Sequence, residues 1–178
     1  MEIVFPEQNE DEFVEIAIRL GHKEICFAYP ENKLPKELPK TSKLTIKTAI
    51  INPAKPAKTR QKCDLIIADK NARAAFEKQD YDIVFGLEKS KENDFMKQRN
   101  SGLNQVLCKI AASKDKVYGI NFNDVLNSKN RPLVIGRMMQ NIMLCKKYKV
   151  KMIIFSGAKE PYEIRAQKDL DSFFEIIK

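Results

Sequence analysis

The sequence predicts an α/β fold: a TIM-barrel-like arrangement of about seven parallel strands alternating with helices. Three observations predict it. Seven short apolar runs recur along the chain, most of them separated by segments of helical periodicity. The runs are mostly continuous rather than alternating, as strands covered on both faces require. At 178 residues, the chain accommodates seven units of roughly 25 residues, whereas an eight-unit barrel needs at least about 200. A doubly wound open sheet is the alternative, and residues 1–178 are read as a single domain.

Each element follows from its local pattern. Ile3–Phe5 is a short first strand. Phe13, Ile16, Ala17 and Leu20 then fall at helical spacing, with Gly21 as the C-terminal cap. Ile25–Ala28 is the second strand. Pro30, Pro35 and Pro39 keep the following connection from forming a long helix. The β-branched run Leu44–Ile51 is the third strand, and Asn52–Lys62, with Pro53 and Pro56, is a loop. Leu65–Ala68 is the fourth strand, followed by a short helix from Asn71 to Gln79 with Asn71 as its cap. Tyr81–Phe85 is the fifth. Leu103, Val106, Leu107, Ile110 and Ala111 mark an amphipathic helix. Val117–Phe122 is the sixth strand. Pro132 suits the first turn of a long helix that ends near Tyr148 with Lys146, Lys147 and Lys149. Met152–Phe155 is the seventh strand, and Leu170, Phe173, Phe174 and Ile177 give a last helix.

The net charge of +8 is unevenly distributed. Residues 1–32 carry −6, residues 33–62 carry +8, residues 63–128 are near neutral, and residues 129–168 carry +8. Two basic segments that the fold can bring together suggest a polyanionic partner: nucleic acid comes first, a merely solvated lysine-rich surface is the main alternative, and an acidic membrane is last. Of the bases 25 are Lys and 7 are Arg, a balance that favours phosphate contact over bidentate reading of bases. Cys26, Cys63, Cys108 and Cys145 lack metal or redox spacing and read as reduced, core-filling thiols. The acidic N-terminus lacks the pattern of a signal peptide, and no apolar run approaches a membrane span. The expected location is the cytoplasm.

Familiar catalytic constellations are missing from the sequence. It has no phosphate-binding glycine fingerprint and no nucleophile elbow. The single histidine, His22, has no second imidazole with which to share a metal or a proton relay, and reads as structural. Asp64, Asp69, Asp80, Asp82, Asp94 and Asp124 lie near strand ends, where magnesium ligation competes with helix capping. Met138, Met139 and Met143 on the long helix suit either core packing or a partner surface. The segment 99–104, RNSGLN, is the most informative stretch. Asn100 or Ser101 can cap the helix that follows, Gly102 leaves its first amides open, and Arg99 stands beside that positive end as a phosphate site would require.

A family resemblance rests on these residues. RNSGLNQVLCKIA at 99–111, GRMMQNIMLCKKYKVKMIIFSGA at 136–158, PYEIR at 161–165 and Asp169–Leu170 resemble ribonuclease P protein component 3, the thirty-kilodalton RNase P subunit family of archaea and eukaryotes. The resemblance runs from about Asp64 to Phe174. Gln167 stands where family members often have Pro, and those members usually continue past the last helix. The resemblance implies a barrel related to the polymerase and histidinol phosphatase (PHP) superfamily, without its histidine ligands. It also implies a role in removing 5′ leaders from precursor tRNA, in a particle whose RNA holds the catalytic site and its Mg2+. No cofactor, metal or catalytic residue is then expected on this chain. The implied partners are RNase P RNA, precursor tRNA, an RRM-like subunit (component 2) and other RNase P proteins, with no membrane.

Charge and position nominate Arg99, Lys109, Arg131, Arg137, Lys159, Arg165 and Lys168 as RNA-facing, with Lys55, Lys58 and Arg60 in the Pro-containing loop as secondary candidates. Of these, Arg99 and Arg165 rest on the matched motifs. The alternative function is a metal-dependent phosphoesterase of barrel fold. A third reading is a scaffold that binds only protein through the methionine-bearing helix.

Overall fold

Seven strands pair in chain order, every neighbour parallel: β1 (Glu2–Val4), β2 (Glu24–Pro30), β3 (Thr45–Ile51), β4 (Leu65–Asp69), β5 (Ile83–Phe85), β6 (Val117–Asn121) and β7 (Lys151–Phe155). Two backbone hydrogen bonds join the first strand to the segment leaving the last. Gly157 N–H donates to the Ile3 carbonyl at 3.2 Å, and Phe5 N–H to the Ala158 carbonyl at 2.8 Å. The sheet therefore curls into a nearly closed barrel, as predicted, rather than the open doubly wound alternative. The computed structural model describes every residue except Lys36, Asn71, Gln79, Lys91 and Glu92.

The strand runs alternate between two environments, which explains why they are apolar throughout. Ile3, Cys26, Ala28, Ala49, Ile67, Ile83, Phe85 and Phe155 fill the barrel interior. Their neighbours Val4, Ile25, Phe27 and Tyr29 face outward onto α1 (Glu10–Arg19). Ile66, Ala68, Val84, Tyr118, Ile120 and Ile154 form the larger outer layer under the remaining helices. Burial of both faces removes the polar half of the usual period-two pattern.

The helices are α2 (Pro56–Thr59), α3 (Ala72–Glu77), α4 (Gln105–Ser113), α5 (Phe122–Leu126), α6 (Arg131–Tyr148) and α7 (Gln167–Ile177). Two of them depart from the sequence reading. The stretch read as a loop at 52–62 contains α2, entered through Pro56. Phe122, assigned to the sixth strand, opens α5 instead, capped by the Asn121 side chain, which accepts from Asn123 N–H at 3.0 Å. The expected cap Asn71 and helix end Gln79 lie outside the described residues. All four cysteines are free thiols, Cys63 half-buried and the others buried. Among the described residues, no helix is long and apolar enough to cross a membrane.

Candidate functional site

The mouth at the C-terminal ends of the strands is where this architecture places function. Asp69 is the last residue of β4, and Asp124 lies in the first turn of α5, directly after β6. Between them stands Lys89. Gly86 leaves β5 in the left-handed region (φ 71°) and starts a short 3-10 turn, Leu87–Lys89. That turn brings the Lys89 ammonium 5.4 Å from the centre of the Phe85 ring. Lys89 Nζ is 3.3 Å from Asp69 Oδ1 and 3.2 Å from Asp124 Oδ1. A Cβ at position 86 would lie 2.2 Å from Asp69 Oδ1, so glycine serves both the turn and the ion triad. Burial raises the pKa of Asp124 above the usual carboxylate range, against the pull of Lys89. A cavity of about 250 Å³ opens here, lined also by Phe5, Asn121, Asn123, Asn127 and Lys159.

Most of the acids considered above as magnesium ligands are held by other partners. Among the described residues, no three His, Cys, Asp or Glu side chains come together as ligands. Asp64 accepts from Thr48 N–H at 2.8 Å, Asp82 pairs with Arg60, and Asp94 pairs with Arg99 and Arg137. Asp69 and Asp124 share one partner, the Lys89 ammonium, which balances them. His22 follows α1 at the far end of the barrel, where its Nε2 contacts the Arg165 carbonyl at 2.9 Å. Its burial lowers its pKa.

Next to the mouth lies a buried polar cluster that joins the barrel to α6. Glu88 is 1% exposed, and its Oε1 accepts from the Tyr118 hydroxyl and from Asn141 Nδ2. Burial pushes its pKa up to about 7. Arg137 donates to Asp94 Oδ1 at 2.8 Å, to the Glu88 carbonyl at 3.0 Å and to the Ser90 carbonyl at 2.7 Å. At 1% exposure it cannot face RNA, so its nomination is corrected: its charge ties the β5–α4 connection to α6.

Arg99 is also placed differently from the sequence reading. The cap of α4 is Asn104, which accepts from Leu107 N–H at 2.9 Å, and not Asn100 or Ser101. Arg99 belongs to α6 rather than to the start of α4. Its N–H donates to Gln140 Oε1 at 3.1 Å, its carbonyl accepts from Gln140 Nε2 at 2.9 Å, and its guanidinium packs on Gly136. It also pairs with Asp94 at 3.3 Å, leaving about half of its side chain exposed.

The remaining candidates divide between the two ends of the barrel. Lys55, Arg131 and Lys159 are exposed on segments that follow strand ends at the mouth, and Lys58 is exposed on α2. Arg131 donates to the Leu126 carbonyl at 3.0 Å. Arg60 sits at the opposite end, bonded through both guanidinium nitrogens to Asp82 at 2.5 and 2.6 Å. Arg165, half-buried, is also at that end beside His22, with Lys168 exposed nearby. Lys109 is exposed on α4. The sequence reading included Asp69 and Asp124 among many acids but missed Lys89. The available signal was that both acids stand at the C-terminal ends of strands.

Comparison with known proteins adds identity to this geometry. Ribonuclease P protein component 3 of Methanosarcina barkeri is 27% identical over 187 aligned residues, covering 96% of this chain and 75% of that one. Its counterpart in Methanococcus maripaludis is 29% identical over 126 residues, covering 67% of this chain and 51% of the relative. The chain thus spans about half the length of the Methanococcus maripaludis relative and three quarters of the Methanosarcina one. A chain in the cryo-EM structure of archaeal ribonuclease P with mature tRNA shares the fold, with TM-score 0.78, 22% identity and coverage of 99% of this chain and 82% of that one. Histidinol phosphate phosphatase of Lactococcus lactis, solved with zinc, L-histidinol and phosphate, shares it more distantly. There the TM-score is 0.62 at 13% identity, with 97% and 92% coverage. These likenesses show the fold, a TIM-barrel-like arrangement, as the sequence reading expected. The pattern of one family runs through residues 6–178, and on that match the chain belongs to the RNase P subunit p30 family.

Proposed function

We propose that this chain is a protein subunit of the ribonuclease P particle that removes the 5′ leader from precursor tRNA. It binds RNase P RNA through exposed cations, assembles with other RNase P proteins including an RRM-like subunit, and acts in the cytoplasm. The catalytic site and its Mg2+ belong to the RNA. The observation that carries this reading is the family match over nearly the whole chain. The mouth geometry supports it: where a barrel phosphoesterase needs a metal between converging carboxylates, Lys89 holds Asp69 and Asp124 together. Cations such as Lys55, Arg131 and Lys159 lower the repulsion between packed RNA helices, an effect that weakens steeply with salt.

The test is precursor-tRNA cleavage by RNase P RNA reconstituted with its protein subunits, with and without this chain. Adding the chain should raise the rate or lower the Mg2+ required. No change in either overturns the proposal.

A further inference from the structure

A rigid apolar face stands beside the cations of α4 and α6. The segment from Asp94 to Arg99 is a tight turn in which Phe95 N–H donates to the Gln98 carbonyl at 2.8 Å. Its base is locked on three sides. Asp94 accepts from Arg137 Nε at 2.8 Å, from Asn100 N–H at 2.9 Å and from Arg99 at 3.3 Å, and Gln140 clasps the Arg99 backbone. On this anchored turn Phe95 is 65% exposed and Met96 is 96% exposed. A mobile loop can show apolar residues to water at little cost. A turn held by this many polar bonds and tipped with Phe and Met marks a contact surface instead.

The face continues along the helices. Met139 and Met143 flank Gln140 on α6 and are 43% and 66% exposed, whereas Met138 is fully buried. Val106 of the neighbouring α4 is 58% exposed, and the Tyr148 hydroxyl of α6 ties the two helices together by donating to Gln105 Oε1 at 3.3 Å. Around these side chains stand exposed Lys97, Arg99, Lys109 and Lys147. Neither α4 nor α6 contains an acidic residue.

We propose that this face docks another protein subunit, whose contact surface is apolar at its centre and carries carboxylates at its edge. Methionine and valine give a sugar–phosphate backbone little to hold, whereas flexible thioethers suit an apolar protein surface. The cationic rim selects an acidic border through charge complementarity. The proposal rests on the assembly role given above and assigns it a surface. It also places Arg99 and Lys109, nominated for RNA from sequence, at a protein contact.

Methionine oxidation by dilute peroxide, followed by mass spectrometry on the full chain, reads this surface directly. Met138 serves as the buried control. The chain is oxidised alone, with RNase P RNA, and with each other RNase P protein subunit of the same organism in turn. One protein subunit, without RNA, should slow oxidation of Met96 and Met143 at least tenfold. The charge-reversing pair Met96→Asp and Lys97→Glu should weaken binding of that subunit at least tenfold, with the thermal midpoint of the chain unchanged. Protection by RNA alone to the same degree makes RNA the occupant and overturns the proposal, as does a lack of protection by any protein subunit. Precursor-tRNA cleavage in the fully assembled mixture reads the assembly role separately. Stimulated cleavage with Met96 as reactive as in the free chain overturns the docking surface and leaves that role standing.

Discussion

The guanidinium of Arg99 occupies the space that a side chain on Gly136 would fill: a Cβ at position 136 would stand 2.5 Å from Arg99 Cζ. The two residues come from separate motifs, 99–104 and 136–158, and each explains the other. A glycine inside an 18-residue helix is otherwise a cost of roughly 1 kcal/mol relative to alanine.

That packing makes the effect of Gly136→Ala depend on residue 99. In the native background the new methyl group must displace the guanidinium, offsetting the gain in helix propensity, so stability should change by less than about 1 kcal/mol. In an Arg99→Ala background the space is free, and the same substitution should stabilise by about 0.5–1 kcal/mol. Urea unfolding of the four proteins measures the coupling. Equal effects in both backgrounds would show that the two side chains do not compete.

Lys89→Met tests the ion triad at the mouth. It leaves Asp69 and Asp124 facing each other without their cation. Breaking a fully buried pair costs about 3–5 kcal/mol. Here the Lys89 side chain is 28% exposed and its partners 28% and 12%, so solvent screening reduces the expected loss to about 1–2 kcal/mol. For a domain of this size that lowers the melting midpoint by roughly 2–8 °C. Manganese should restore part of the loss in the variant and leave the native protein unmoved, since only the variant presents two unbalanced carboxylates. A variant as stable as the native chain would mean that the triad contributes nothing to the fold.

Glu88 and Glu2 give the fold a dependence on pH that runs opposite to acid denaturation. Burial pushes each pKa up to about 7, from an ordinary value of 4.5. Between those values the folded chain keeps protons that the unfolded chain has released. Stability therefore falls as pH rises from about 4.5 to 7, by up to about 1.4 kcal/mol per unit for each group. Glu88→Gln keeps an acceptor for the Tyr118 hydroxyl and Asn141, and Glu2→Gln keeps one for Ser156. Melting curves across this range should slope downward in the native protein and less steeply in each variant. Parallel slopes would place the titration elsewhere.

The strands were legible in the sequence because burial on both faces makes each of them a plain apolar run, and β4 and β7 fall where their runs fall. Helix starts were less legible. Asn100, Ser101 and Asn104 all have capping chemistry, and only the path of the chain across α6 selects Asn104. The fate of charged residues was the least legible. Arg137 and Arg131 are both basic residues near the start of one helix, yet the first is buried against Asp94 and the second is exposed. Lys89 meets Asp69 and Asp124 only because barrel closure brings three strand ends together, and no local pattern records that.

On the proposed function, that difference in the fate of cations sets the salt response expected of RNA binding. A side chain that neutralises a phosphate releases a counterion, so its loss lowers the slope of log affinity against log salt by about one unit. Lys55 and Lys159 are exposed at the mouth, and Lys55→Ala and Lys159→Ala should each reduce the slope by about that amount without unfolding the chain. Arg60 is bonded to Asp82 through both nitrogens, so Arg60→Ala should leave the slope unchanged. Arg137→Ala should instead lower stability by about 2–3 kcal/mol, because it removes one of the donors to Asp94 and the donor shared by the carbonyls of Glu88 and Ser90. Filter binding to RNase P RNA between 50 and 300 mM salt, with melting curves on each variant, separates these outcomes. If Arg60→Ala flattened the slope as much as Lys159→Ala, RNA would have to contact the opposite end of the barrel, and the mouth would lose its claim to be the RNA-facing end.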